Sequence, residues 1–177
     1  MGKQKGFSLI ELLIVVAIIL IIAAIAVPNL LKSKMAANEA SAAASVRTVA
    51  TGNVTYASTY NIGYAGSLAQ LGPPVAPATS SSAAANLIDS VLSGINPGPV
   101  AAPVKAGYTF TYAAPNATPT AATPNNTFSL AATPFSAGSS GTSTFCLDQT
   151  NVVRKDPAGS VAGPAAGGCL TFAGNPM

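Results

Sequence analysis

From Phe7 to Val27 the chain is apolar at every position except Ser8 and Glu11, and that run limits what the rest can become. As an α-helix it rises about 31 Å, the hydrocarbon thickness of a bilayer. Lys3 and Lys5 precede it, so the positive charge holds the N-terminus in the cytoplasm and sends the following residues across. The run is too long for the apolar core of a secretory signal, and Pro28-Asn29-Leu30-Leu31 offers no small-residue cleavage site behind it. The expectation is a single-pass anchor with the bulk of the chain outside.

Glu11 is the anomaly. A carboxylate at the centre of a membrane helix costs about 2.5–3.5 kcal/mol and by default marks function. Glu11 lies one turn from Phe7, where the cost is smaller and the positive helix end favours an anion. Its own helix start is therefore one partner for the charge. A cut before Phe7 creates another, a new α-amino cation that a neighbouring copy shifted along the axis presents to Glu11. Opposite charges attract strongly at low dielectric, and leaving either unpaired is expensive. Such a pair would fix the register of assembly.

The stretch Lys5-Gly6-Phe7-Ser8-Leu9-Ile10-Glu11-Leu12-Leu13-Ile14-Val15-Val16 resembles the type III signal of the type IV pilin family, prepilins and pseudopilins. The resemblance is specific up to Tyr60 and holds only in outline beyond. It implies that a membrane aspartyl peptidase cuts after Gly6 and methylates Phe7, that Glu11 serves assembly, and that Pro28 kinks the helix. Glycine suits the cut, because without a side chain it takes unusual backbone angles and lets a catalytic group approach the peptide. The resemblance also implies a precursor in the bacterial inner membrane and then an extracellular pilus. Its partners would be other pilin copies in a homopolymer, the prepilin peptidase and methylase, and an assembly platform. The platform's ATPase would be separate, since this chain has no phosphate loop.

Pro28 withholds a backbone donor and clashes with the preceding turn, which predicts a bend. Lys32, Lys34, Asn38 and Glu39 mark emergence into water. Ala42, Val46, Val49, Asn53, Tyr56 and Tyr60 then recur at helical spacing and predict one core-facing stripe. Gly52 interrupts it at a cost of about 1 kcal/mol relative to alanine, and Asn61-Ile62-Gly63 reads as the stop. A helix from Phe7 to Tyr60 would be about 80 Å long. The residues that remain cannot cover all of it. Its first half needs lipid before assembly and other copies afterwards.

Beyond Tyr60, the residues Tyr64, Leu68 and Leu71 predict a turn-rich segment ending at Gly72-Pro73-Pro74, and residues 75–86 a loop. Leu87, Ile88, Val91 and Leu92, with Gly94 and Pro97 as stops, predict a short core-plugging helix. Tyr108, Phe110 and Tyr112 alternate with Thr109 and Thr111 as a strand. Phe128 to Ala132 is a second strand. Thr144 to Leu147 and Val152 to Arg154 flank a hairpin turn at Asp148-Gln149-Thr150-Asn151. The fold class is α+β: a long kinked N-terminal helix, transmembrane in its first half, packed on a three- or four-stranded antiparallel sheet. The organisation expected is a leader at 1–6, a membrane and polymerisation helix at 7–28, and an amphipathic continuation at 29–62. An αβ-loop region at 63–106 and the sheet with a disulfide-closed C-terminal region at 107–177 complete it.

Composition narrows function. The chain has no histidine and five acidic residues, so it offers no Ser–His or Cys–His pair and no imidazole metal ligand. A paired-carboxylate site would need Asp148 and Asp156 to converge, which their spacing does not demand. No enzymatic activity, metal or cofactor is expected. The net charge of +3 includes Lys3 and Lys5, so removing the leader leaves six bases against five acids. Direct nucleic-acid binding is not expected from that balance. Cys146 and Cys169, an even pair in an exported chain, read as one disulfide worth roughly 3 kcal/mol on the chain-entropy model.

Asn53-Val54-Thr55, Asn116-Ala117-Thr118 and Asn125-Asn126-Thr127 match the short N-glycosylation pattern, and the first lies on the predicted buried stripe. The leading expectation is a pilus subunit serving adhesion, surface motility or DNA uptake. The alternative is a pseudopilin of a type II secretion system. Major pseudopilins carry an acid-rich calcium loop near the C-terminus, for which Asp148 and Asp156 are too few and too scattered. A monomeric anchored binding protein is disfavoured by the leader and Glu11 together.

Overall fold

The computed structural model describes residues 6–75, 78–95, 102–159, 169 and 175–177. Lys3 and Lys5 of the expected leader and the Pro97 stop lie outside them. The chain divides into two compact units, residues 1–34 and residues 35–177.

The described part of the first unit is helix. Helix α1 is Leu9–Tyr60 and carries Pro28 inside it. Pro28 has no N–H to offer the carbonyl of Ala24, four residues back. Up to Lys34 Ala23 alone, among the described residues, is even half-buried. Leu9, Ile14, Ile18, Ile21, Ile25 and Leu30 are all more than half exposed. The segment is long and apolar enough to cross a membrane.

In the second unit the same helix changes character. Ala42, Val46, Val49, Asn53 and Tyr56 are buried and Tyr60 is partly buried, the stripe expected from spacing. Ala43, Ser45 and Gly52 are buried beside it. Gly52 fills a packing role, since a Cβ there would lie 3.3 Å from Ile88 Cγ2. The helix stops where expected: Asn61 (φ 54°) and Gly63 (φ 78°) take left-handed angles. The released chain bonds at once to Asn125, through Tyr64 N–H to its carbonyl at 2.8 Å.

A four-residue helix α2 (Leu68–Leu71) follows, where only a turn-rich segment was expected. The short helix predicted around Leu87–Leu92 is instead a capped turn. Asp89 Oδ1 accepts the N–H groups of Val91 and Leu92. Leu87 N–H and Ile88 N–H are already spent on the carbonyl of Leu71. Behind that cap a single turn forms, closed by Ser93 N–H to the Asp89 carbonyl at 3.0 Å, and Gly94 with its left-handed angle (φ 76°) ends it there. Ile88 and Leu92 nevertheless plug the core as expected.

The sheet is a six-stranded antiparallel meander in chain order: β1 (Val104–Lys105), β2 (Tyr108–Ala113), β3 (Ser129–Pro134), β4 (Thr144–Asp148), β5 (Arg154–Asp156) and β6 (Asn175–Pro176). The two strands beyond the expected four are the two-residue edges β1 and β6. Alternation cannot be read from two residues: β1 is folded onto β2 by the two-residue turn Ala106-Gly107, both at positive φ (50° and 73°), and β6 exists only through its pairing with β5. The β4–β5 connection is also longer than a tight hairpin: β4 extends to Asp148 and β5 starts at Arg154, with Cys146 opposite Arg154. Tyr108, Phe110, Leu130, Ala132, Phe145 and Leu147 join Val46, Val49 and Tyr56 in one core. Cys146 and Cys169 form the disulfide, their Cα atoms 5.8 Å apart.

Candidate assembly site

At the start of α1, the Ser8 carbonyl accepts Leu12 N–H at 3.3 Å, which makes Ser8 the N-cap. Glu11 stands three residues on, and its Oε2 accepts Ser8 N–H at 2.9 Å. This is the returning half of a capping box, in which the third helical residue satisfies the orphan donor of the cap. The local reason is the Ser8-Leu9-Ile10-Glu11 order, which places a carboxylate one turn above a serine. Phe7 is 80% exposed. A cut between Gly6 and Phe7 would therefore create an amine one residue away from an N–H that Glu11 already holds. In a single copy, Glu11 caps its own helix. The carboxylate is exposed and remains open to a second donor.

The residues that sequence reading took as marking emergence into water do more than that. Asn38 Nδ2 donates to the Ser140 carbonyl at 2.8 Å. Glu39 accepts from Thr142 N–H (3.1 Å) and Thr142 Oγ1 (3.1 Å), and from Ser143 N–H (3.2 Å) and Ser143 Oγ (3.1 Å). Lys155 Nζ closes the cluster at 3.1 Å. Burial by itself would raise the carboxyl's pKa. The Thr142 amide, the Lys155 ammonium and the Ser143 donors outweigh it and hold Glu39 at about 2. No sequence signal marks this clamp, because its partners lie more than a hundred residues away.

Asp148 and Asp156 are kept apart. Asp148 pairs across the sheet with Ser129, and Asp156 with Thr144 at the other end of β4, a separation of about 13 Å along the strand. Asp148 accepts from the Thr150 hydroxyl and amide and from Cys169 N–H. Against the opposing effect of burial, these donors and the Arg154 charge lower its pKa. Two of the sequon asparagines are structural. Asn53 is fully buried, with its Oδ1 accepting Ala65 N–H. Asn125, also fully buried, exchanges two hydrogen bonds of 2.8 Å with the Asn116 backbone.

Comparison with known proteins bears on the N-terminal site. Residues 1–27 match the family model of the prokaryotic N-terminal methylation motif. Over 39 residues the chain is 59% identical to PilA4, the type IV wide pilus major component of Thermus thermophilus. That match covers 22% of this chain and 30% of the relative. No solved structure matches. The methylation motif lies over an uncovered apolar helix with Glu11 at its start, and in this N-terminal segment the chain is similar to a type IV pilin.

Proposed function

We propose that the chain is a structural subunit of a type IV pilus filament, made as a membrane-anchored precursor and assembled by helix packing after its leader is removed. The observation that carries this reading is the uncovered helix. None of the apolar window of α1 is buried by the chain itself, and apolar surface of that extent needs lipid or protein against it. Lipid serves the precursor, and the same helices of other copies serve the filament.

In this reading the peptidase cuts between Gly6 and Phe7, and Phe7 becomes the methylated N-terminus. Glu11 then exchanges or shares its Ser8 cap with the Phe7 amine of a neighbouring copy. The low dielectric of a helix bundle makes that pairing strong and its absence costly. Pro28 supplies the bend between membrane and head segments. Extension and retraction would be driven by a separate ATPase at the assembly platform, and the filament would serve adhesion, motility or DNA uptake. The engagement of Asp148 by Thr150 and Cys169 favours a pilus subunit over a calcium-dependent pseudopilin.

Shearing surface filaments from the native cells and sequencing their N-terminus by mass spectrometry tests the maturation step. Methylated Phe7 is expected, and an intact Met1 in that fraction would overturn it. Glu11→Ala subunits should be processed and stay in the membrane without polymerising. Normal filament numbers from that variant would remove the register role.

A further inference from the structure

Among the described residues of the second unit, Phe135 is the one exposed aromatic side chain, at 70% exposure. Tyr108, Phe110, Phe128 and Phe145 are buried, and Tyr60, Tyr64 and Tyr112 are partly buried. The loop that carries Phe135 is nevertheless held firmly. Phe135 N–H donates to the Gly107 carbonyl at 2.9 Å, and Ser140 N–H to the Ser136 carbonyl at 2.8 Å. Ser136 N–H donates to Ser140 Oγ at 3.0 Å, and Asn38 ties the loop to α1 through the Ser140 carbonyl. An exposed aromatic on a preorganised loop forfeits little entropy when something buries it.

The sheet register fixes which end of the head this is. Tyr108 pairs with Pro134 and Thr144 with Asp156, so the β1–β2 turn, the Phe135 loop and the end of β5 lie together. It is the end at which α1 enters the unit, where Asn38 meets Ser140 and Glu39 meets Thr142 and Ser143. In the turn at 106–107 and the loop at 135–143 no side chain is charged, so these segments approach an apolar phase without stripping water from an ion.

The apolar run ends close by in the chain. From Leu31, the last apolar residue before Lys32 and Lys34, to Asn38 is seven residues. That length reaches at most about 25 Å when extended and about 10 Å as helix. The headgroup layer of a bilayer is itself about 5–7 Å deep on each side. Whenever the run spans a membrane, Asn38 and the loop tied to it are kept near the lipid surface.

We infer that in the membrane-anchored precursor Phe135 inserts its ring into the lipid interface, so that the head rests on the bilayer by this end until the subunit is drawn into a filament. The inference rests on the pilus-subunit reading and deepens it by naming the surface on which the head waits. A single apolar group holds a free protein on a membrane only weakly. Here the anchor already tethers the head, so the contact is intramolecular in effect and a weak attraction suffices. Burial of the ring supplies that attraction. Lys32 and Lys34, both exposed just before Met35, add cations at the level of the lipid phosphates.

The chain has no tryptophan, so Phe135→Trp installs a single fluorescent reporter with little change in shape. The full-length precursor is reconstituted at a low protein-to-lipid ratio in vesicles of phosphatidylethanolamine and phosphatidylglycerol, with or without acyl chains brominated near the headgroup. Phe135→Trp should emit further to the blue than Val54→Trp and lose most of its intensity to the brominated lipid. Val54, 47% exposed and about 24 Å further along α1 than Asn38, should stay unquenched. Equal quenching of both would show a head lying flat with no chosen end. Blue emission without quenching would show Phe135 covered by protein, and red, unquenched emission would leave it in water. Each of these overturns the inference. Ile18→Trp, read with lipid brominated near the chain ends, separates the failures. If it is quenched while Phe135→Trp is not, the membrane-anchored reading stands and this contact falls. If it is not quenched, that reading fails and this contact with it.

Discussion

The two halves of α1 make a controlled comparison, because one continuous helix meets two different surroundings. Before Lys34 its side chains are exposed almost without exception; after Met35 one stripe of it is the wall of a core. The first half is apolar all round and has no preferred face within this chain. The second is apolar on one stripe and polar or small elsewhere, so it can be completed by its own sheet. A helix that is greasy on every side is finished only by its environment, and one greasy on a single side by its own fold.

The sharpest way to break that comparison is to place the same charge in each half. Val46→Lys buries an ammonium at a position that is 0% exposed and should destabilise the head by about 3–5 kcal/mol. Ile18→Lys should leave the melting of the detergent-solubilised head unchanged while abolishing filaments. Thermal denaturation followed by circular dichroism, with electron microscopy of the cells, separates the two. Equal melting losses in both variants would mean that the halves are not energetically distinct.

A smaller effect comes from the disulfide. Replacing Cys146 and Cys169 together by alanine should cost about 3 kcal/mol in denaturant unfolding, with no change in membrane insertion of the first half. The acid response of the Glu39 clamp is smaller again. Its carboxyl is held at about 2, below the ordinary value of 4.5, so the unfolded chain takes up the proton first on acidification. The clamp's contribution is therefore complete above about pH 4.5 and fades as the pH falls through about 2. Glu39→Gln should be less stable than wild type at pH 7, and the gap should close in that window. A gap independent of pH would show that the carboxylate's charge contributes nothing.

The smallest expected change is at Gly52. Alanine there gains about 1 kcal/mol of helix propensity but brings a Cβ to 3.3 Å from Ile88 Cγ2. The two effects should nearly cancel, leaving Gly52→Ala within about 1 kcal/mol of wild type. Gly52→Leu should lose several times that by displacing the Ile88 turn. A clear gain in stability from alanine would show that the helix–turn contact is looser than its geometry implies.

Local chemistry made much of this molecule legible in its sequence. The long apolar run, the Glu11 carboxylate one turn from Phe7, the stripe from Ala42 to Tyr60 and the Asn61–Gly63 stop all act within a turn or two of helix. Alternation over Tyr108–Tyr112 is equally local. The residues that went unread depend on distant partners. Leu87–Leu92 has helical spacing, but Leu71 holds the Leu87 and Ile88 amides ahead of the Asp89 cap, and Gly94 ends the run after one turn. Asn38 and Glu39 look like ordinary solvated polar residues until the β3–β4 loop returns to them.

Sequence by itself determined that this chain has a helix needing an outside partner, a carboxylate placed at its start, and an even pair of cysteines late in the chain. Those follow from periodicity and charge, which are properties of neighbours along the chain. Tertiary structure decided the β6 edge strand, the Glu39 clamp, and the tie between Leu71 and the turn at Leu87–Leu92. Each of those joins residues far apart in the chain, and only the closed loops between them bring their donors, acceptors and apolar surfaces within reach.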